Sequence, residues 1–324
     1  MRPYYSLFPL AAALFLGPVL TSNAALLVYE GFQYGASNVS MNGLTSSALG
    51  VTGNYTSLSG SPNGSATFVT NYQATGLTFS ANFLTTAGGA MSIGTNSAGS
   101  SANNVSGAVG VALDVSSVTG TLYSSYLVNM TFPTTTTGSY ATRLNTTATG
   151  GGANSNFGSN PYASGSPNGK AASSYDSGAT TYSGANVLAA NTTYLSINKF
   201  TNAGTAIGAG GGTSTAWFLT SANYDLWIST GLGLEANLDT YATIKISDTN
   251  AAAGTFNFDN TKFLQFATFS GNSGTSTTSQ AARFDEVRWG TELGDVALVP
   301  ETAPGVLGLG AAGFLAVLRR RRRQ

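Results

Sequence analysis

The sequence contains neither cysteine nor histidine. These two absences remove thiol nucleophiles, disulfides, Cys/His zinc sites and every Ser-His-Asp arrangement. A metal ion would have to be held through oxygen ligands alone, as calcium is, and no Asp-x-Asp-x-Asp loop is present. Charge is scarce as well: only 8% of the 324 residues are charged, with 13 bases against 13 acids. That balance misleads, because Arg2 and Arg319 to Arg323 sit at the two ends; without these six, seven bases remain against 13 acids. The interior holds no basic cluster to neutralise phosphates, so no nucleic-acid partner is expected.

What fills the chain is Gly, Ser, Thr, Asn and Ala, with 41 glycines. Such a composition suits strands joined by polar loops and disfavours helical bundles and coiled coils. Strands are expected at Leu26 to Tyr29, Ala66 to Val69, Leu77 to Leu84, Ala108 to Val115, Leu122 to Phe132 and Ser139 to Leu144. Further strands are expected at Thr193 to Phe200, Thr215 to Thr220, Tyr224 to Ser229, Tyr241 to Ser247, Lys262 to Phe269 and Ala282 to Trp289. Within Leu122 to Phe132, Leu122, Tyr126, Val128, Met130 and Phe132 share one face, the period of a sheet with one dry side. Many strands without helical spacing between them predict an all-β, antiparallel sandwich over residues 25–298. Residues 133–190, and above all Thr146 to Tyr182, read as a long Gly/Ser/Asn-rich loop or insertion.

The two ends carry targeting patterns. Arg2, the apolar run Tyr4 to Leu20 and the small residues Ser22-Asn23-Ala24 predict a signal helix cleaved between Ala24 and Ala25. At the other end stand Val299-Pro300-Glu301, an uncharged segment from Ala303 to Leu318, and the run Arg319, Arg320, Arg321, Arg322, Arg323. As a helix that segment spans ~24 Å against a ~30 Å hydrocarbon core, a short transmembrane helix. Snorkelling arginines lengthen the effective anchor and favour keeping this end in the cytoplasm. The ordered arrangement of motif, apolar helix and arginine run resembles the PEP-CTERM sorting signal. The resemblance implies secretion, transient anchoring in the inner membrane, and processing by an exosortase-type transpeptidase. One position departs from the pattern, with Thr302 in place of the second proline and proline displaced to Pro304.

The body carries its own likeness. Leu27-Val28-Tyr29-Glu30-Gly31-Phe32 and Phe284-Asp285-Glu286-Val287-Arg288-Trp289-Gly290 resemble the opening and closing strands of secreted concanavalin A-like, laminin-G-like jelly rolls. That resemblance implies that the first and last strands lie close together, with Tyr224 to Ser247 forming the penultimate strand and loop region.

For chemistry, the available catalysts are the carboxylates Glu30, Asp225, Glu235, Asp285 and Glu286. A glycosidase needs two of them facing one another across a substrate, and no such spacing occurs. On the last strand, alternation puts Phe284, Glu286 and Arg288 on one face and Arg283, Asp285, Val287 and Trp289 on the other. Glu286/Arg288 and Arg283/Asp285 are then expected to pair. The interior bases Arg143, Lys170, Lys199, Lys245, Lys262, Arg283 and Arg288 are scattered singly, so no lyase cluster shows in sequence. Sugar stacking needs only an exposed ring with hydrogen-bonding neighbours, and its candidates are Trp217, Tyr224, Asp225, Trp227 and Trp289. Calcium through Asp114, Asp225 or Asp248 is a weaker candidate, and no other cofactor is expected. The expectation is therefore an exported, non-catalytic structural or binding module of the cell envelope or extracellular matrix, with extracellular polysaccharide as a candidate partner. The alternatives are a carbohydrate-active enzyme on the same scaffold and a glycan-binding adhesin.

Overall fold

In a chain this poor in charged helix formers, β-branched and aromatic runs dominate local structure. The computed structural model describes residues 26–57, 67–79, 81–82, 84, 86, 88–96, 106–115, 120–131, 137–145, 156–163, 171–175, 181–183, 188–201, 212–249, 263–271 and 281–297. The signal helix with its Ala24/Ala25 cleavage site, and the tail from Val299 to Arg323, lie outside these residues, as do Lys170 and Lys262.

Two antiparallel sheets form a jelly-roll sandwich. The first contains β1 (Leu26–Glu30), β2 (Val39–Ser40), β4 (Thr67–Gln73), β5 (Ala90–Asn96), β7 (Leu122–Thr131), β12 (Thr193–Phe200), β13 (Thr213–Leu219), β14 (Ile244–Thr249) and β16 (Ala281–Gly290). The second contains β3 (Val51–Ser57), β6 (Ser106–Leu113), β8 (Thr137–Asn145), β9 (Asn156–Ala163), β10 (Ala171–Tyr175), β11 (Thr181–Tyr182) and β15 (Phe263–Gly271). The nine-stranded sheet runs β14-β13-β12-β7-β16-β5-β4-β2, with β1 also on β16, and the seven-stranded sheet runs β11-β10-β9-β8-β15-β6-β3. First and last strands are thus direct neighbours, Tyr29 opposite Arg288 and Glu30 opposite Val287. Among the described residues the α-helices are α1 (Ser221–Ser229), α2 (Leu238–Tyr241) and α3 (Leu293–Ala297), with a 3-10 turn at Glu235–Asn237 leading into α2.

Between the sheets, aromatic rings link the layers. Phe266 of β15 lies 5.7 Å from Phe32 and 5.8 Å from Phe284, which lies 5.7 Å from Tyr126 of β7. All four are buried. Burying one such side chain is worth roughly 1.5–3 kcal/mol, and favourable ring pairs add about 0.5–1.5 kcal/mol.

Four expectations need correction. Tyr224 to Ser229 is helical: Thr220 Oγ1 accepts the Asn223 amide at 3.3 Å, and Tyr224, Trp227 and Ile228 are buried at helical spacing. A short apolar run does not distinguish strand from helix, and here the cap and packing decide. Tyr241 likewise ends α2, and the strand after it starts at Ile244. The described residues of Leu77 to Leu84 form no strand, although Leu77, Phe79 and Leu84 are buried in a second apolar cluster. Within the expected long loop, β9, β10 and β11 extend the seven-stranded sheet.

The last strand carries the most consequential departure. Its pairing with β7 shifts by one residue between Asp285 and Arg288, and Glu286 there adopts φ +52°. Such a bulge resets the alternation. Phe284, Val287 and Trp289 all join the inter-sheet core, so the face assignment expected from strict period two fails after Asp285.

Candidate functional site

Part of the outer face of the nine-stranded sheet is covered by the helices. Leu127, Leu195, Ile197, Trp217 and Leu219 from the sheet pack with Tyr224, Trp227, Ile228, Leu238 and Ala297 from the helices. Polar pins hold this helical cap down. Trp217 donates Nε1–H to Asp239 Oδ1 at 2.7 Å, and Lys245 Nζ meets Asp239 Oδ2 at 2.5 Å. The lysine first, then the indole, holds the Asp239 carboxyl below its ordinary range. Glu235 takes Lys199 Nζ at 2.5 Å and the Tyr123 hydroxyl at 2.6 Å. Asp225 accepts both the backbone and side-chain N–H of Asn82 at 2.8 Å.

These contacts correct the sugar-stacking expectation. Trp217 and Trp227 belong to the cap interface, with Trp227 Nε1–H donating to the Leu234 carbonyl at 2.9 Å. Tyr224 is buried and donates its hydroxyl to the Ala297 carbonyl at 2.8 Å. Trp289 lies between the sheets, 5.8 Å from Phe200 with the rings stacked. None of these four rings offers a free face to a pyranose, and Asp225 is half-exposed and committed to Asn82. Among the described residues no three acidic side chains gather as a cation site.

The carboxylates available for catalysis also have internal roles. Glu30 is buried and accepts three hydrogen bonds: Phe32 N–H at 2.6 Å on Oε1, and the hydroxyls of Tyr34 at 2.5 Å and Tyr55 at 2.6 Å on Oε2. Phe32 sits at φ +48°, a costly conformation for a bulky residue, and Glu30 fixes that turn. Burial pushes the Glu30 carboxyl up, opposed by its three donors. Asp285 accepts the amides of Leu77 at 2.9 Å and Glu286 at 2.8 Å, and burial pushes its carboxyl up to about 7. Glu286 pairs with Arg288 at 2.6 Å as expected and also takes the Tyr29 hydroxyl at 3.1 Å. Arg283 forms no ion pair with Asp285; its guanidinium donates to the Thr75 carbonyl instead. The bulge and the docking of the chain around Leu77 engage Asp285 with backbone amides.

The opposite face of the sandwich is different. Leu144, Leu264 and Phe266 point into the inter-sheet core, so alternation sends Arg143, Asn145 and Gln265 to the outer face of the seven-stranded sheet. Gln265 pairs across β15 with Arg143 of β8 on one side and Gly110 of β6 on the other. Gln265 Oε1 accepts Arg143 Nε–H at 2.6 Å and Asn145 Nδ2–H at 3.0 Å. Two donors on one amide oxygen fix its orientation, and it in turn fixes the plane of the guanidinium. All three side chains are buried, and desolvation pushes the Arg143 guanidinium down to about 10, so it stays cationic at neutral pH. Beside the array, Ala108, Gly110 and Ala112 of β6 project little side-chain volume. The seven strands of this sheet contain no Asp or Glu, and Arg143 is their only base.

Arg143 appears in the sequence as one isolated base, while Asn145 and Gln265 give no signal. The alternation of apolar neighbours at 144, 264 and 266 predicts which face each takes. Only strand register brings positions 120 residues apart into one array.

No family model matches the chain, and no curated protein matches it. Distant likenesses occur among solved structures. An alginate lyase from Aplysia kurodai is 11% identical over 64% of this chain and 84% of its own, with a TM-score of 0.40. A protein of unknown function from Shewanella oneidensis MR-1 is 14% identical over 73% of this chain and 85% of its own, at 0.36. The winged bean acidic lectin, in complex with methyl-α-D-galactose, is 7% identical over 74% of this chain and 99% of its own, at 0.36.

Proposed function

We propose that this protein is an exported, non-catalytic module of the cell envelope or extracellular matrix. The outer face of its seven-stranded sheet binds a carboxylate-bearing polysaccharide, drawn by the charge of Arg143, which itself stays buried with Gln265 and Asn145. The observation that carries this reading is the Arg143 array itself. A buried guanidinium that stays cationic, under strands free of acidic residues, gives this face a positive potential that favours a sugar carboxylate. The hydrolytic alternative is disfavoured because Glu30, Asp285 and Glu235 are engaged in holding a turn, a bulge and the helical cap.

Delivery follows from the ends. The leader to Ala24 exports the chain, and the tail from Val299 holds it in the inner membrane until an exosortase-type enzyme processes it near Val299-Pro300-Glu301. Mass spectrometry of the mature C-terminus, in a host with that enzyme, tests the sorting step. An exported chain still ending in Arg319 to Arg323 and Gln324 would overturn it.

Binding is tested on an array of acidic and neutral oligosaccharides, with and without calcium. Uronate-containing chains should be retained, and Arg143→Ala, which removes the buried charge, should weaken them about fivefold. Arg143→Lys keeps the charge and should keep most of the binding. Retention of neutral glycans only, or undiminished binding by Arg143→Ala, would refute the assignment. Appearance of unsaturated uronate products would replace binding by a lyase reaction.

A further inference from the structure

Among the described residues, three of the exposed large apolar side chains lie within nine consecutive residues: Leu226 at 49%, Leu232 at 69% and Leu234 at 52%. The backbone holds them outward. Leu232 adopts φ +57°, between Gly231 and a Gly233 at φ +63°. The loop is closed by Gly231 N–H to Leu226 O at 3.2 Å, Gly233 N–H to Trp227 O at 3.0 Å and Leu234 N–H to Gly231 O at 3.1 Å. Asn237 Nδ2–H adds a bond to the Gly231 carbonyl at 2.9 Å. Two unfavourable features therefore coincide at Leu232, a left-handed backbone in an L-residue and an apolar side chain in water.

The place where the chain leaves the body explains the coincidence. Ala297, the last described residue, is buried against α1, its carbonyl bonded to the Tyr224 hydroxyl. Only residues 298–302 separate it from the apolar segment that begins at Ala303. Fully extended, that connection reaches roughly 20 Å, and α1 itself is only about 14 Å long. Once the tail is inserted, the helical cap is tethered within reach of the bilayer, with its leucines on α1 and the loop that follows it. Of the neighbouring acids, Glu235 and Asp239 are paired with Lys199 and Lys245, while Asp225, bonded to the neutral Asn82, keeps its charge, so the cap suits a zwitterionic lipid surface better than an anionic one.

We infer that the leucine loop Leu226 to Leu234 is a lipid-contacting surface that seats the body on the outer leaflet while the tail is anchored, an inference that rests on the anchoring role proposed for Ala303 to Leu318. Seating the cap presents the opposite, Arg143-bearing sheet away from the membrane.

The absence of cysteine makes a direct test available. The full chain is prepared with Leu232→Cys or, as a control on the far sheet, Asn54→Cys, each carrying a polarity-sensitive fluorophore, and reconstituted into phosphatidylcholine vesicles. Tail insertion is scored separately by resistance to carbonate extraction. With the tail inserted, the probe at position 232 should report an apolar environment and be quenched by lipid-borne quenchers, while that at 54 should not. In a third preparation, probed at Leu226→Cys, Leu232→Ser with Leu234→Ser should reduce the seated fraction about tenfold or more, as expected for removing leucine burial. A water-like signal at 232 with an inserted tail overturns the inference and leaves the anchor standing. Shielding without lipid quenching overturns it in favour of the tail segment folded onto the loop, or of a second copy if the signal falls on dilution. An extractable tail overturns both readings.

Discussion

Replacing Glu30 by alanine removes the acceptor that holds the opening turn. Three donors lose their partner: the Phe32 amide, the Tyr55 hydroxyl and the Tyr34 hydroxyl. Phe32 and Tyr55 are buried, whereas Tyr34 is half-exposed and can turn to water. Each buried orphan costs about 1–3 kcal/mol, while removing a desolvated carboxylate gives part of that back. The net loss expected is about 3 kcal/mol, a large share of a typical domain's stability. Glu30→Gln should cost less, about 1–2 kcal/mol, because its carbonyl still accepts the Phe32 amide while its NH2 group meets the tyrosine oxygens. Equilibrium urea unfolding followed by tryptophan fluorescence reads both, since all three tryptophans are buried. A Glu30→Ala variant within about 0.5 kcal/mol of the parent, or a glutamine variant weaker than the alanine one, would refute the view that this carboxylate braces the turn.

Asp285 gives a pH signature. Its folded-state carboxyl is raised from 3.8 to about 7, so the folded protein holds a proton that the unfolded chain releases. The stability linked to this group is fully present below its ordinary value and is lost as pH rises through about 7. Asp285→Asn should flatten that component, seen as the parent-minus-variant difference in urea midpoint; an unchanged difference from pH 4 to pH 7 would contradict it, those bounds being about the two pKa values. Trp227→Ala should destabilise by about 3–5 kcal/mol with no change in glycan preference, the outcome of a core ring and not of a sugar platform. Trp217→Phe keeps an aromatic ring but loses the bond to Asp239 and part of the buried ring volume, and should cost about 2–3 kcal/mol in the same assay.

The architecture was largely legible because period-two alternation is local. Leu122 to Phe132 shows one dry face in sequence and Lys262 to Phe269 a buried run, and the described residues of both are strands. The neighbouring placement of the first and last strands also follows the jelly-roll resemblance of their motifs. Sequence pattern and structure diverge where a short apolar run has two solutions. Leu226-Trp227-Ile228 is as apolar as a strand, and the Thr220 cap together with burial beneath Ala297 makes it a helix. At Glu286 a single extra residue reversed the faces, which alternation alone does not anticipate.

Composition by itself excluded thiol, imidazole and zinc chemistry, and the order of residues at the two ends set the expectation of export and anchoring. Exposure and long-range register are properties of the folded chain, and they decided the rest. Tertiary packing turned the tryptophans from candidate sugar platforms into core and the acidic residues into pins. It also joined Arg143 to Gln265, separated by 122 residues, in one buried array. The physical reason is range: hydrophobic periodicity acts between neighbours, whereas a site on a sheet face is made by hydrogen-bonded strands that the chain brings together only on folding.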